Sequence, residues 1–191
     1  MNFMSLWMFG LSRHWSALTL TNSCERKMTI KYLKKMKFDF EPSLDQEEIS
    51  VCAFDDLDPL QQNAVLLLRL CGYDAQSYCD FAQLLTRQVG KERAESILTS
   101  FTSISALMIE FGRKQIKRHA PGCTCVGADE CTFASILTHA TYGDFNEALL
   151  IASTIIDVNN APKLVVHLRN LGNAVQGPNV KIASDVSRVV H

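Results

Sequence analysis

With 191 residues, the chain is long enough to form one domain with a substantial hydrophobic core. Its composition is 47% hydrophobic and 20% charged with nine Gly and five Pro, which excludes a disordered polypeptide and disfavours a turn-rich all-β fold. The formal net charge of −1 provides no general attraction to nucleic acid or to anionic lipid, so binding of either kind would need a local patch.

Residues 1–56 are predicted to form a leader and a charged arm of largely irregular structure. The leader is apolar, but Arg13 interrupts it and no basic residue precedes its apolar run, so it does not match a secretory signal. That run, residues 1–11, is also too short to span a bilayer, and we therefore predict no membrane association. As an alternative, residues 1–27 precede a true start at Met28.

The charged arm changes sign along its length. Residues 26–37 are rich in Lys and Arg, and residues 39–58 are rich in Asp and Glu. The basic half is either a phosphate-binding arm or a solvated tail that pairs loosely with the acidic half. We favour the solvated tail, because a short lysine run with few aromatic residues is an unspecific signal.

Helical spacing of apolar residues predicts an all-α fold, a bundle or stacked hairpins of about six short helices in a single domain over residues 57–172. Asp58 and Pro59 are a start signal for the first helix, and Gly172 is predicted to end the last one. A run of Ser and Thr over residues 99–105 predicts a kink or break in the third helix. The remaining residues, 173–191, are predicted to be a tail. The predicted helices cover residues 59–71, 75–89, 91–111, 130–142, 145–156 and 161–171.

Residues 119–131, here called the cysteine segment, hold three of the seven cysteines between two predicted helices. Cys123 and Cys125 are two residues apart, so in an extended chain both side chains leave the same side, with about 7 Å between their Cα atoms. Cys131 is expected in the first turn of a helix, where the helix field lowers the pKa of a thiol. Together with His119, these cysteines predict a Cys3His site for structural zinc.

Other interpretations of the cysteine segment stay open. Paired zinc ligands usually have two to four residues between them, whereas Cys123 and Cys125 are separated by one. An iron–sulfur cluster ranks behind zinc, because such clusters generally use four cysteines. The thiols could instead be a redox switch, in which Cys131 forms a disulfide with one of the other two, or they could be inert parts of a turn.

The sequence predicts no catalytic residues. It contains no Gly-rich phosphate loop, no Gly-x-Ser-x-Gly elbow and no His-Glu-x-x-His pair. Asp58, Asp129 and Asp144 are expected to cap helices rather than to act as an acid–base pair. An enzyme is therefore disfavoured, and a thiol enzyme is kept only as a third alternative.

The main hypothesis is a non-enzymatic helical protein that acts by binding another protein, with zinc in the cysteine segment. The odd number of cysteines, with Cys71 and Cys79 in apolar helical patterns, predicts a reducing, cytoplasmic compartment. The alternative is a DNA-associated or redox-responsive regulator that uses the cysteines, a helix-turn-helix spacing over residues 83–98, the basic half of the charged arm and a second basic cluster. That cluster follows the third helix, where its cations would also stabilise the helix end, and consists of Arg113, Lys114, Lys117 and Arg118.

Overall fold

The computed structural model describes residues 50–70 and 75–176 of the chain. Within these ranges it contains six α-helices and two strands of two residues each, so the predicted all-α fold is confirmed. The two strands pair antiparallel as a small ribbon, and a 3-10 turn at Phe54–Asp56 precedes the first helix. In chain order the elements are β1 Cys52–Ala53, α1 Pro59–Leu70, α2 Ala75–Val89, α3 Lys91–Phe111, β2 Cys125–Val126, α4 Ala128–Tyr142, α5 Phe145–Ile155 and α6 Ala161–Val175.

Several helix ends follow their local sequence signals. The Asp58 carboxylate accepts the backbone N–H groups of Leu60 at 2.8 Å and Gln61 at 2.9 Å, which confirms the predicted cap of α1. The joint between α2 and α3 lies at Gly90, and α4 ends at Gly143. Both glycines have positive φ, 81° and 91°, a conformation that is costly for a residue with a Cβ atom.

The predicted break in α3 is wrong. The helix continues through residues 99–105, and two of the hydroxyl groups in this run find acceptors one turn earlier in the same helix. Thr102 donates to the Leu98 carbonyl at 2.8 Å, and Ser103 donates to the Thr99 carbonyl at 3.1 Å. These two hydroxyl groups are satisfied within the helix, which is continuous from Lys91 to Phe111.

The predicted end of the last helix at Gly172 is also wrong, because α6 continues to Val175. Gly172 lies inside the helix and faces α4, where a Cβ atom would come within 1.8 Å of the Thr141 Oγ1 atom. The glycine therefore permits a close helix contact and does not mark a helix end.

The core forms where α4 packs against α1, α5 and α6, while α3 packs against α2 and α6. Helix α1 is buried on all sides along most of its length, since every residue from 63 to 70 is buried. This buried stretch includes a cation, Arg69, with only 1% of its surface exposed. A charged group in that position needs partners, and they lie in the cysteine segment.

The long connection between α3 and α4, residues 112–127, is fixed at its start to the α5–α6 connection. The Phe111 carbonyl accepts the N–H of Asp157 at 2.9 Å, and the Ile155 carbonyl accepts the N–H of Arg113 at 2.9 Å. These bonds direct the chain away from α3 and across the end of α1, where the cysteine segment begins.

Two further findings bear on the predictions about membrane association and about the cellular compartment. Within residues 50–70 and 75–176, no helix combines the length and the apolar character that crossing a bilayer requires. Cys79 of α2 is disulfide-bonded, whereas the reducing compartment predicted from the sequence would keep its thiol unlinked. Disulfides are typical of oxidising compartments, so this one gives no support to the cytoplasmic localisation, which stays a prediction.

Candidate metal centre

A buried ion pair joins α1 to the cysteine segment. The Nε and Nη2 atoms of Arg69 donate hydrogen bonds to the two carboxylate oxygens of Glu130, at 2.7 Å and 2.8 Å. Both side chains are 0% exposed. The carboxylate also accepts the backbone N–H of Gly127 at 3.1 Å. Burial alone would raise the pKa of Glu130, but the guanidinium and the backbone amides outweigh it and hold that pKa below its usual range.

The same ion pair holds the backbone of all three candidate ligands that precede α4. The Arg69 guanidinium donates to the carbonyls of Cys123 and Cys125, each at 2.7 Å. Glu130 accepts the backbone N–H of His119 at 2.9 Å. Since both charges are enclosed and satisfied, the backbone of this part of the segment is fixed from within the core.

On this backbone, the side chains of His119, Cys123 and Cys125 converge. One ligand atom from each lies within 4.8 Å of the other two. The His119 Nδ1 atom is 3.3 Å from the Cys125 sulfur and 3.0 Å from the Cys125 carbonyl oxygen, and the histidine side chain is 14% exposed. The three residues therefore form a compact sulfur–nitrogen group at the edge of the domain.

The two sulfurs of this group are very close. The Cys123 and Cys125 Sγ atoms are 2.6 Å apart, and the hydrogen bond from Cys123, with burial, raises the pKa of Cys125. Sulfurs bound to one tetrahedral zinc at 2.3 Å would be about 3.8 Å apart, so metal binding requires them to separate by roughly 1 Å. Rotation of the Cys123 side chain at the protein surface would provide that change.

The fourth predicted ligand, Cys131, is not in this group. Its sulfur lies 3.8 Å from the sulfur of Cys52 in β1. In the ribbon, Cys52 is paired with Val126, whereas Ala53 is paired with Cys125. Because side chains alternate between the two faces of a strand, Cys52 shares the buried face of Val126, and Cys125 lies on the opposite face.

The thiol of Cys131 also differs from its prediction. Burial, the hydrogen bond with Cys52 and the nearby Glu130 carboxylate raise its pKa to about 11. The helix field was expected to lower it, but desolvation and a neighbouring anion outweigh that effect. Cys131 is therefore a neutral thiol at pH 7.

Asp129 does not cap α4, because the helix begins one residue earlier, at Ala128, with Gly127 in the cap position. Its carboxylate instead forms an ion pair with Lys114 and accepts the backbone N–H of Lys117 at 2.9 Å. Asp129 therefore ties the α3–α4 connection to the first turn of α4.

The basic cluster that follows α3 is engaged in contacts within the domain. Besides the ion pair of Lys114, Arg113 donates through Nε to the Ile156 carbonyl at 3.1 Å. Arg118 donates to the Leu68 carbonyl at 3.0 Å. These side-chain contacts give Arg113, Lys114 and Arg118 a role in holding the connection in place.

Three residues of the site were missed by reasoning from sequence. Arg69 carried a signal, because a lone cation among consecutive apolar residues of a helix requires a buried acid. Its partner Glu130 could not be chosen from the sequence, since another acid, Asp129, directly precedes it. Cys52 carried no signal, because a strand of two residues leaves no periodic pattern.

Comparison with known proteins found no matching family model, no similar curated protein and no similar solved structure. Function is therefore inferred from the chemistry of the site.

Proposed function

We propose that the cysteine segment is a structural zinc site with His119, Cys123 and Cys125 as ligands, in a non-enzymatic protein that acts by binding another protein. The observation that carries the proposal is the convergence of one nitrogen and two sulfur ligand atoms within 4.8 Å. Thiolate and imidazole ligands in a tetrahedral arrangement favour zinc over the oxygen-seeking cations.

The proposed ligand set departs from the predicted Cys3His set in its fourth member. Within the described ranges, no further His, Cys, Asp or Glu joins the group, and Cys131 shares the opposite face of the ribbon with Cys52. Water is the fourth ligand in this proposal. The metal would replace the crowded contact of the two sulfurs with two thiolate–metal bonds.

A hydrolytic role for such a zinc is disfavoured by the state of Glu130. Its carboxylate is 3.7 Å from the His119 Nδ1 atom, but it is already engaged by Arg69 and by two backbone amides. A general base needs a free acceptor and a pKa near the working pH, and this carboxylate has neither.

Binding to another protein is supported by apolar side chains at the surface. Tyr142, Leu150 and Val166 are each more than half exposed, at 64%, 64% and 56%. Exposed aromatic and aliphatic groups contribute to protein contacts. The DNA-binding alternative has less support, because the basic cluster is used within the domain.

A redox-responsive role is the second candidate, and the 2.6 Å separation of the Cys123 and Cys125 sulfurs favours it. A disulfide between them would have a bond of about 2.05 Å and would remove both thiolate ligands. The structure brings these two sulfurs together, whereas the sequence suggested Cys131 as the partner. Zinc binding and disulfide formation at this pair exclude one another, so the metal content of the purified protein distinguishes the two roles.

The test is elemental analysis of the full chain, purified under reducing conditions without chelator. We expect stoichiometric zinc in the natural protein and its loss in Cys125→Ser. Cys131→Ser is the matched control, because it removes a cysteine of the same segment that is outside the group, and it should retain the metal. Loss of zinc from both variants would support the predicted Cys3His set, and metal-free natural protein with a linked Cys123–Cys125 pair would support the redox role.

A further inference from the structure

A second pair of sulfurs lies outside the proposed zinc site. Cys52 and Cys131 are 79 positions apart in the chain, yet their Sγ atoms are 3.8 Å apart and share a hydrogen bond. They occupy the face of the ribbon opposite to Cys125, so they are separated from the candidate ligands by the backbone of β1 and β2. Both are partly buried and unlinked.

The backbone holds both cysteines in place. On the two sides of Cys52, Val51 donates to the Val126 carbonyl at 2.9 Å and Phe54 donates to the Thr124 carbonyl at 2.8 Å. The Phe54 ring also lies against the Arg69 guanidinium, with 5.7 Å between its centre and the guanidinium carbon.

Cys131 is fixed in the first turn of α4, where its N–H donates to the Gly127 carbonyl at 2.9 Å. To form a bond of about 2.05 Å, the sulfurs must approach by less than 2 Å, which side-chain rotation can supply.

We propose that Cys52 and Cys131 are a reversible disulfide site whose co-reactant is a low-molecular-weight disulfide such as oxidised glutathione. The pair belongs to a chain that already holds one disulfide, at Cys79. The link would close a loop that contains α1, α2, α3 and β2, and it would fasten β1 to α4.

The exchange proceeds in two balanced steps. The Cys52 thiolate attacks one sulfur of the external disulfide, which forms a mixed disulfide and releases one thiolate. Cys131 then loses its proton to solvent and attacks the Cys52 sulfur, which forms the internal bond and releases the second thiolate. Two cysteines are oxidised by two electrons and the external disulfide is reduced to two thiols, and excess thiol reverses both steps. Burial raises the pKa of Cys131 to about 11, so the second step is assigned to Cys131.

The test uses the full chain in glutathione buffers of increasing oxidised fraction, followed by acid quenching, alkylation and peptide mass spectrometry. We expect a peptide pair linked through Cys52 and Cys131 and a rise of several degrees in the unfolding midpoint, since the link closes a long loop. Cys131→Ser should instead accumulate the mixed disulfide at Cys52.

The double variant Cys123→Ser, Cys125→Ser is the control, because it removes both sulfurs of the proposed zinc site and should leave the Cys52–Cys131 link unchanged. A link that joins Cys52 to Cys123 or Cys125, or the absence of any Cys52–Cys131 link at full oxidation, would overturn the proposal. No metal is needed in this experiment, so its result is independent of the zinc proposal.

Discussion

A guanidinium group enclosed in protein requires an acceptor for nearly every N–H group, and Arg69 finds four. Two are the oxygens of Glu130, and two are the carbonyls of Cys123 and Cys125. Removing one member of a buried ion pair leaves the other charge enclosed without compensation, which is far more costly than removing both. This asymmetry gives the first prediction.

Arg69→Met should destabilise the domain by about 3–5 kcal/mol, because it leaves the Glu130 carboxylate buried and unpaired. The double variant Arg69→Met, Glu130→Leu should recover part of that loss, and urea unfolding of both variants measures the difference. Arg93→Met is the matched control, since Arg93 also donates to two carbonyls, those of Ala174 and Gln176 at 2.6 Å each, but pairs with no buried acid among the described residues. Equal losses in Arg69→Met and Arg93→Met would contradict the special role of the ion pair.

The ion pair also makes stability depend on pH in a defined direction. The pKa of Glu130 is lower in the folded domain than its ordinary value of 4.5. Its contribution is therefore complete above pH about 4.5 and is lost as the pH falls through the lower folded value. The free energy of unfolding should decline below pH 4.5, and the decline should be shallower in Glu130→Gln. An identical pH dependence in both proteins would exclude Glu130 as the titrating group.

Cys131 should react slowly with alkylating reagents at neutral pH, because a pKa of about 11 leaves almost no thiolate. Its rate should rise by roughly tenfold per pH unit between pH 7 and pH 10, measured on the Cys131 peptide by mass spectrometry. In Cys52→Ser the rate at pH 8 should increase, since that variant removes one cause of the raised pKa. Fast labelling of Cys131 in the folded natural protein at pH 7 would contradict the burial argument.

At the scale of the elements, prediction from sequence succeeded where a local pattern determines the structure. The apolar spacing and the Asp58 cap located α1, and the spacing also located α2 and α3. It failed where a tertiary contact determines the outcome. Gly172 carries the signal of a helix end, but its lack of a side chain is used for the contact with Thr141.

For the candidate site too, prediction succeeded where a local pattern determines the structure and failed where a tertiary contact does. The nearness of Cys123 and Cys125 follows from their spacing, because an extended chain places every second side chain on one face. The separation of Cys131 depends on a strand pairing between residues more than 70 positions apart, and no local pattern encodes such a pairing. Long-range contacts therefore decided which cysteine joins the site.

Gly172→Ala tests the close approach of α4 and α6. A helix interior normally gains from this change, but here the new Cβ atom would lie 1.8 Å from the Thr141 Oγ1 atom. Overpacking should outweigh the helix preference and destabilise the domain by about 1–3 kcal/mol. Gly122→Ala is the control, because a Cβ atom there meets nothing within 4 Å and should have little effect.

A second variant separates the clash from other causes. Thr141→Ala removes the Oγ1 atom but leaves its Cβ atom 3.0 Å from the new side chain, so Gly172→Ala should be partly rescued in that background. Thermal unfolding of the natural protein, the two single variants and the double variant measures the coupling between the two substitutions. Simple additivity of the two changes would show that they do not interact.

At the scale of the whole molecule, the buried Arg69–Glu130 pair couples the proposed zinc site to the core. Arg69 belongs to α1, Glu130 belongs to α4, and both bind the backbone that carries the ligands. Opening of the site would expose this pair to water, so the site should open only when the packing of α1 against α4 is lost. Metal binding should therefore stabilise the helical domain as a unit.

Zinc at 100 times its Kd should add about 2.7 kcal/mol to the free energy of unfolding. The Tm followed by far-UV circular dichroism should rise by roughly 5–10 °C relative to protein in chelator, because one kcal/mol corresponds to about 2–4 °C in a chain of this size. Cys125→Ser should show no rise, while Cys131→Ser should keep it. If zinc binds the natural protein but the helical transition does not move, the segment opens independently of the core, and the coupling through Arg69 and Glu130 is wrong.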